Sequence, residues 1–469
     1  MRTVLVRLED DAESNNITCP RDSDSWDPVT RSTLSTPQTR MADILVLGAT
    51  GFTGRLTTRY LSTHPQRAEF TLAVGARSRE RLEKLAKDLS LGDIVQLVQV
   101  DVTNAEDVEK AVASVKVVIN TVGPYWKWGK NVVKACAKLG KGYLDLTGEA
   151  HWTANMIWHY DYLATKTGAV IIPSCGLDSI PSDISVFLAN RTLKALAGPD
   201  TTIERTDTAV EVKGIMSGGT LSTIMTTLED VPKEQARVGE RDYALMSSII
   251  GRPSPPTRLL YKLSVPSPPM YGSFWMMSTA NRRIVERTWG LHQLAALGGG
   301  AKEKELAYGP DFVYDEFLSA PNRLTAIVIS LSMITIGFAL LLPPVRWILK
   351  SIRPAGSGSD DATLEKGRML ITSITTSSPD ATGKKTYVRT IQRGRGDPGY
   401  LLTSMMLGEG ALALVLERDS LPALAHQGGI LTPMSALGDV LIKRLGDTGR
   451  FDFESEVILT DGEESRKTR

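Results

Sequence analysis

A chain of 469 residues, 42% hydrophobic and 23% charged, has room for two or three domains and a substantial core. Its net charge of +1, with no run of Lys and Arg, gives no electrostatic footprint for nucleic acid. Cys19, Cys136 and Cys175 form no CxxC pair, which argues against a disulfide framework and structural zinc and suits a reducing compartment.

Residues 1–40 are polar, rich in Ser, Thr, Asp and Pro, and aperiodic, so they read as a disordered leader. They lack the apolar stretch of a cleavable signal peptide. Their arginines and hydroxyl side chains fit an organelle presequence, but Glu9, Asp10, Asp11 and Glu13 count against one. An upstream start codon or a dispensable tail is the favoured reading, with the folded domain beginning at Met41. The next stretch, residues 43–54, reads DILVLGATGFTG and organises the chain. Residues 44–47 are the apolar run of a buried parallel strand, and Gly48, Gly51 and Gly54 follow at even spacing. Leu56, Tyr60 and Leu61 then open a helical face. Glycines permit a tight turn and a close approach of backbone to pyrophosphate, while the helix N-terminus offers free N–H groups. The spacing is GxxGxxG, with Thr50 in the usual second-glycine place. Strand, turn and helix together make the opening of a dinucleotide-binding unit.

The pattern continues as strand and helix. Residues 70–74 form a strand, 78–89 a helix with Leu82, Leu85 and Leu89 on one face, and 95–100 a third strand ending at Asp101. Asn104 caps a helix running to residue 112, residues 115–119 are the fourth strand, and 130–139 the next helix. This alternation calls for a doubly wound parallel sheet. The second strand ends in GARSR, where an enzyme preferring NAD places a carboxylate for the ribose 2′-OH. Arg77 and Arg79 offer a cationic cradle for a 2′-phosphate instead, so NADP(H) is the expected cofactor. The alternative is a solvated helix start, where Arg sits poorly with the helix dipole. Asp101 either accepts from the adenine amino group or is an ordinary acid at a helix start. The fourth strand runs into Thr121, Val122, Gly123, Pro124 and Tyr125, a turn placed to face the nicotinamide half. Tyr125, Trp126 and Trp128 line a hydrophobic pocket or cover the sheet edge.

Residues 143–146 are a further strand leading to Thr147, Gly148 and Glu149, followed by a helix over 151–167 and a strand over 169–172. The loop PSCGLDSIPSD ends in a helix start at Pro181. Cys175 has no histidine beside it in sequence to activate it and reads as a small buried thiol. Residues 206–212 alternate as a strand, and SGGTLST at 217–223 opens a helix that suits an anionic or carbonyl group, or a plain N-cap. Residues 252–269 form a Pro-rich covering loop. Residues 324–342 carry no charge and approach the roughly 20 residues that span a bilayer. Pro343 and Pro344 stop the run, and Arg346, Trp347, Lys350 and Arg353 follow as an interfacial anchor would; a buried core helix is the alternative. Because the segments beyond Met369 read as parts of one globular body, the run is expected to dip into lipid and return, or to lie at the interface. Residues 353–365 make a linker, 369–376 and 385–392 strands, 401–416 and 432–445 helices, and the end of the chain from 451 a disordered tail.

GATGFTG, GARSRERL, NTVGPYWKWG, DLTGE, CGLDSIPSD, SGGT, GDPGY and GGILTPMSALGDVLIKRL stand in the order seen in saccharopine dehydrogenase-like oxidoreductases. From about residue 41 to 450 the chain resembles that family, and within it the trans-acting enoyl reductases of bacterial lipid and polyketide synthesis. The resemblance implies an α/β fold: a Rossmann domain at 41–200 and a second α/β substrate domain at 201–400, interrupted by the apolar segment 324–342 and the linker. Helices at 401–450 return to the first domain, and 451–469 is tail. It also implies association with a lipid droplet or with the cytoplasmic face of an intracellular membrane. It carries NADP contacts onto Gly48, Thr50, Gly51, Phe52, Thr53, Gly54, Arg77 and Asp101, with Thr121, Val122 and Gly123 as nicotinamide-side backbone. Enoyl reduction needs a proton donor beside the hydride donor, and Tyr125 and Asp178 are the positions to look at. No metal is implied. Residues 151–321 lack the tight arginine cluster that a saccharopine-type amino-acid substrate needs for its carboxylates. Two readings remain: an NAD(P)H-dependent reductase of an enoyl or carbonyl group on an apolar, lipid- or polyketide-like substrate, and a lipid-associated NADP-binding protein without turnover. A homodimer fits either.

Overall fold

The computed structural model describes residues 42–177, 179–214, 218–263, 265, 269–352 and 358–458. The leader, Asp178, Ser217, Arg353 and the end of the expected tail lie outside the described residues. Six short strands, β1 (Ala42–Leu47), β2 (Leu72–Ala76), β3 (Gln96–Gln99), β4 (Val115–Asn120), β5 (Gly142–Asp145) and β6 (Val170–Ile172), alternate with helices. Each connection is a helical crossover, so all pair in parallel, in the order β3-β2-β1-β4-β5-β6. The order reverses between β1 and β4, the switch point at which open parallel sheets bind ligands.

The second sheet is built from β7 (Ile203–Lys213), β8 (Tyr261–Leu263), β9 (Met270–Ser273), β10 (Val313–Ala320), β11 (Arg368–Ser377) and β12 (Tyr387–Arg395). A two-residue strand, β13 (Gly429–Ile430), then joins the first sheet beside β6, and β14 (Phe451–Ile458) closes the edge of the second. The order is β14-β12-β11-β7-β10-β9-β8, with β7 and β10 parallel and the other pairs antiparallel. Residues 451–458 were expected in a disordered tail; they form a strand instead. Their acids are cross-strand partners of β12: Arg393 meets Glu454 at 2.5 Å, Arg395 meets Asp452 at 2.6 Å, and Arg389 pairs with Glu456. Phe451 and Val457 pack into the interior. The charges that suggest a solvated tail are one face of an edge strand. The Ile180–Ala197 helix, expected with the first domain, lies against β11, β12 and β14.

One core serves both sheets: Ile44, Leu144 and Ile172 from the first meet Val210, Met369 and Ile371 from the second around Leu407 and Leu412. Among the described residues two helical segments are long and apolar enough to cross a membrane, and they differ in their surroundings. Pro398–Leu416 is 78% buried as a core element, whereas Arg323–Leu340 is 11% buried. Arg323–Leu340 touches the body through Ala326, Ser330 and Leu340 and leaves Leu324 and Phe338 73% and 68% exposed. The chain then turns and returns as Pro343–Ile352 against the Gly218–Glu229 helix, where Arg346 and Lys350 meet Glu229 at 3.0 and 2.6 Å.

Glu409 is the sole charge on the buried Thr403–Leu416 helix. It accepts from the Tyr60 hydroxyl, lies 2.9 Å from His64 Nε2, and pairs with Arg444 at 2.7 Å. Burial alone would raise its pKa, but His64, Arg444 and Tyr60 outweigh burial and hold it below the usual carboxylate value. Glu409→Gln keeps the shape and leaves Arg444 short of a charge. It should lower stability by about 3 kcal/mol, seen as an earlier midpoint in urea unfolding.

Candidate nucleotide and substrate site

The turn after β1 is shaped by what glycine lacks. Gly48 has φ +79°, and a Cβ there would lie 2.7 Å from Thr121 Oγ1 and 2.9 Å from Val122 Cγ2. A Cβ on Gly54 would lie 2.2 Å from the Gly48 carbonyl oxygen. The ends of β1 and β4 are drawn together by Thr121, whose N–H and hydroxyl both donate to the Leu47 carbonyl, at 3.0 and 2.7 Å. Gly51 is the N-cap of the Phe52–Ser62 helix and brings no side chain to its first N–H groups, which leaves the helix start open to an anion. Thr50 and Thr53 are half-buried in this turn. Phe52 points elsewhere: its ring packs edge-on against Tyr400, centroids 5.2 Å apart, so only its backbone faces the turn.

At the end of β2 the two arginines separate. Arg79 is held by Glu83 at 2.9 Å and by the Leu97 carbonyl at 3.0 Å, along the side of its own helix. Arg77 is exposed beside Asp101 and, of the two arginines, is the one without such a clamp among the described residues. Asp101 closes a local turn, accepting from Thr103 N at 2.9 Å and Thr103 Oγ1 at 2.8 Å, and these bonds hold its pKa low. Val122 N–H donates to Asn120 Oδ1 at 3.1 Å, which fixes the turn that Gly123 continues.

Tyr125 does not reach into the crevice. It is 5% exposed, its hydroxyl donates to the Asn120 carbonyl at 2.9 Å, and it accepts from Leu146 N–H at 3.4 Å, bracing the ends of β4 and β5. Glu149, from the DLTGE stretch, accepts from Tyr125 and Trp126 N–H at 2.7 and 2.9 Å. Asp145, from the same stretch, accepts from Thr147 N–H, Ser174 N–H and the Tyr143 hydroxyl, tying β5 to β6. These two carboxylates are positioning groups that sequence reasoning left without a role, although D-x-T followed by a glycine is a turn signature. Cys175 is a buried free thiol, raised well above its ordinary pKa by burial.

A parallel sheet in this strand order, with a glycine turn and an uncapped helix N-terminus at its switch point, is a dinucleotide-binding fold. The family description "Saccharopine dehydrogenase NADP binding domain" matches residues 44–172, which span β1 to β6. A Mycobacterium tuberculosis protein provisionally named a trans-acting enoyl reductase is 35% identical over 434 residues, covering 87% of this chain and 96% of its own. A trans-acting enoyl reductase of Mycobacterium bovis is 32% identical over 440 residues, covering 88% and 97%. A yeast saccharopine dehydrogenase structure aligns over 89% of this chain at 12% identity and a TM-score of 0.49. The chain belongs to the saccharopine dehydrogenase-like oxidoreductases, in the branch of the trans-acting enoyl reductases. It is an NADP-dependent oxidoreductase, and the glycine turn and Arg77 fit NADP(H) at the crevice. Among the described residues no group of His, Cys, Asp and Glu could hold a metal ion.

Arg77→Ala should reduce the preference for NADPH over NADH by about tenfold, while Arg79→Ala should change it far less, since Arg79 is already engaged. Fluorescence titration with both nucleotides checks the ranking.

Burial pushes Asp145 up to about 6 and both Glu149 and Asp183 up to about 7. The folded chain therefore keeps protons that the unfolded chain has released, and this contribution is lost as pH rises through 6 to 7. His151 and His292, lowered to about 4 by burial, act oppositely below pH 6.5. Thermal stability should rise as pH falls from 8 toward about 5, the two histidines offsetting part but not all of the carboxyl contribution below 6.5. Glu149→Gln and Asp183→Asn should each weaken that rise in a melting series.

Proposed function

We propose that the protein reduces an enoyl or carbonyl group of an apolar, lipid- or polyketide-like acyl substrate, working from a lipid surface. The observation that carries the reading is one chain holding an NADP crevice and an unburied apolar helix. NADPH bound at the crevice supplies the hydride. The named relatives, trans-acting enoyl reductases, favour the enoyl group. On this reading Gly48, Thr50, Gly51, Thr53 and Gly54 hold the pyrophosphate, Arg77 the 2′-phosphate, and Asp101 the adenosine side by keeping its turn in place. Thr121, Val122 and Gly123 form the backbone floor on the nicotinamide side. Tyr125 stands behind that floor and keeps it rigid. The proton reaches the substrate from elsewhere, and Asp178 stays a candidate from sequence alone.

The lipid part of the reading rests on the Arg323–Leu340 and Pro343–Ile352 helices. β7 precedes them and β11 follows them, yet the two strands pair along their whole length, so the chain before and after lies on one side. This favours a segment that enters lipid and returns, on a lipid-droplet monolayer or the cytoplasmic face of a membrane. Purified full-length protein should oxidise NADPH with an α,β-unsaturated acyl thioester and should float with phosphatidylcholine vesicles in high salt. Leu331→Asp combined with Phe338→Asp should abolish flotation. Protein left in the soluble fraction would overturn the lipid reading, and no oxidation with enoyl or keto thioesters would overturn the reductase reading.

A further inference from the structure

Acidic residues are missing from two stretches of the chain. No Asp or Glu stands between Asp242 and Glu286, nor between Glu316 and Asp360. The fold lays these stretches together. The second contains the exposed Arg323–Leu340 helix, and the first supplies β8, β9 and the loops beside them. Ser330, in the middle of the helix, donates to the Leu259 carbonyl at 2.7 Å and accepts from Phe274 N–H at 2.8 Å. Leu259 is itself exposed, so the apolar surface extends from the helix onto the body.

Several cations in these stretches are already paired. Arg282 meets Asp315 at 2.9 Å, Arg283 meets Glu286 at 2.7 Å and Arg252 meets Asp311 at 2.6 Å. Arg346 and Lys350 share the carboxylate of Glu229. Arg258, Lys262 and Arg323 are exposed, and none of them meets a carboxylate among the described residues. These three follow one flank of the helix. Arg323 opens it and stacks over the Tyr271 ring, 5.0 Å from the centroid. Lys262 is the cross-strand partner of Tyr271, so its side chain rises from the same face of the sheet. Arg258 directly precedes Leu259, whose carbonyl holds Ser330, and Ser330 lies about 10 Å along the helix axis from Arg323. A helix crossing lipid end-on would carry flank cations into hydrocarbon, which is costly. Cations spread along a flank fit a helix lying flat, with its apolar arc among acyl chains and its flank level with the headgroups. Unneutralised cations beside a broad apolar arc are complementary to an anionic phospholipid surface.

We propose that the Arg323–Leu340 helix lies flat in an anionic phospholipid surface, with Arg258, Lys262 and Arg323 pairing with headgroup phosphates along its flank. The proposal rests on the lipid reading of this segment and adds the charge of the surface and the orientation of the helix. The test is flotation of the full-length protein with two kinds of vesicle: phosphatidylcholine alone, and equal parts phosphatidylcholine and phosphatidylserine. In low salt the mixed vesicles should bind it about tenfold more tightly or better, since each Lys or Arg at such a surface is worth roughly fivefold. High salt should shrink the difference, because it screens charges and leaves apolar contacts in place. The triple variant Arg258→Gln, Lys262→Gln, Arg323→Gln should bind mixed vesicles no better than phosphatidylcholine, with its NADPH affinity and its binding to phosphatidylcholine unchanged. If that variant fails to fold, the exposed Lys262→Gln alone should cost about fivefold on mixed vesicles only, and Lys262→Arg should cost nothing. Equal binding of the wild type to both vesicles overturns the proposal and leaves the lipid reading standing. A preference for phosphatidylserine that survives loss of the three cations overturns it too. Flotation with neither vesicle overturns the lipid reading itself.

Discussion

The structure depends on how closely the Thr403–Leu416 helix can approach its neighbours. Gly408 and Gly410 flank Glu409, and a Cβ on either would lie 2.7 Å from a neighbour, the ring of Tyr60 in one case and Leu144 Cδ2 in the other. Without those side chains the helix backbone settles against the Phe52–Ser62 helix and β5 at once. The carboxylate between the glycines then reaches Tyr60, His64 and Arg444. Tyr60 belongs to the helix that opens directly after the glycine turn. The interaction that holds the end of the chain to its beginning therefore also aims the glycine turn. A buried charge is weak evidence for stability, because desolvation opposes the pairing, but it fixes one register between three helices.

The same economy applies at the carboxyl ends of the strands. Asp145 and Glu149 spend their oxygens on backbone N–H groups of the loops that follow β4, β5 and β6. Loops this close to a site must be rigid without help from strand pairing, and a buried carboxyl accepting two N–H groups provides that. The cost is a set of carboxyls held above their ordinary pKa, which links the order of the crevice to pH.

Much of this was legible in the chain. The apolar run at 44–47, the glycines after it and the strand-helix alternation to residue 172 specify the first sheet, since each local signal agrees with the others. The second sheet was less legible because its strands alternate charges with apolar residues, as β14 does, and its order depends on pairings far apart in sequence. Arg79 and Glu83, four residues apart, already signal a helix-surface pair, and Asp101 with Thr103 a local turn; both compete with the cofactor roles the resemblance suggests.

The two apolar helices show why composition alone cannot assign a membrane segment. Their hydropathies are 1.9 and 1.5, yet one is 11% and the other 78% buried. The buried helix has glycines where neighbours press on it, whereas Arg323–Leu340 carries large side chains and a narrow contact face of Ala326, Ser330 and Leu340. At about 100° per residue, the exposed side chains from Ile334 through Leu324 to Ile336 sweep about 200° of its circumference. Another protein's groove covers a stripe of roughly 100°. Leaving these side chains and Trp347 in water forgoes on the order of 10 kcal/mol, comparable with the whole stability of a domain. On the proposed reading, the surround that wets this broad face without a matching shape is a lipid phase.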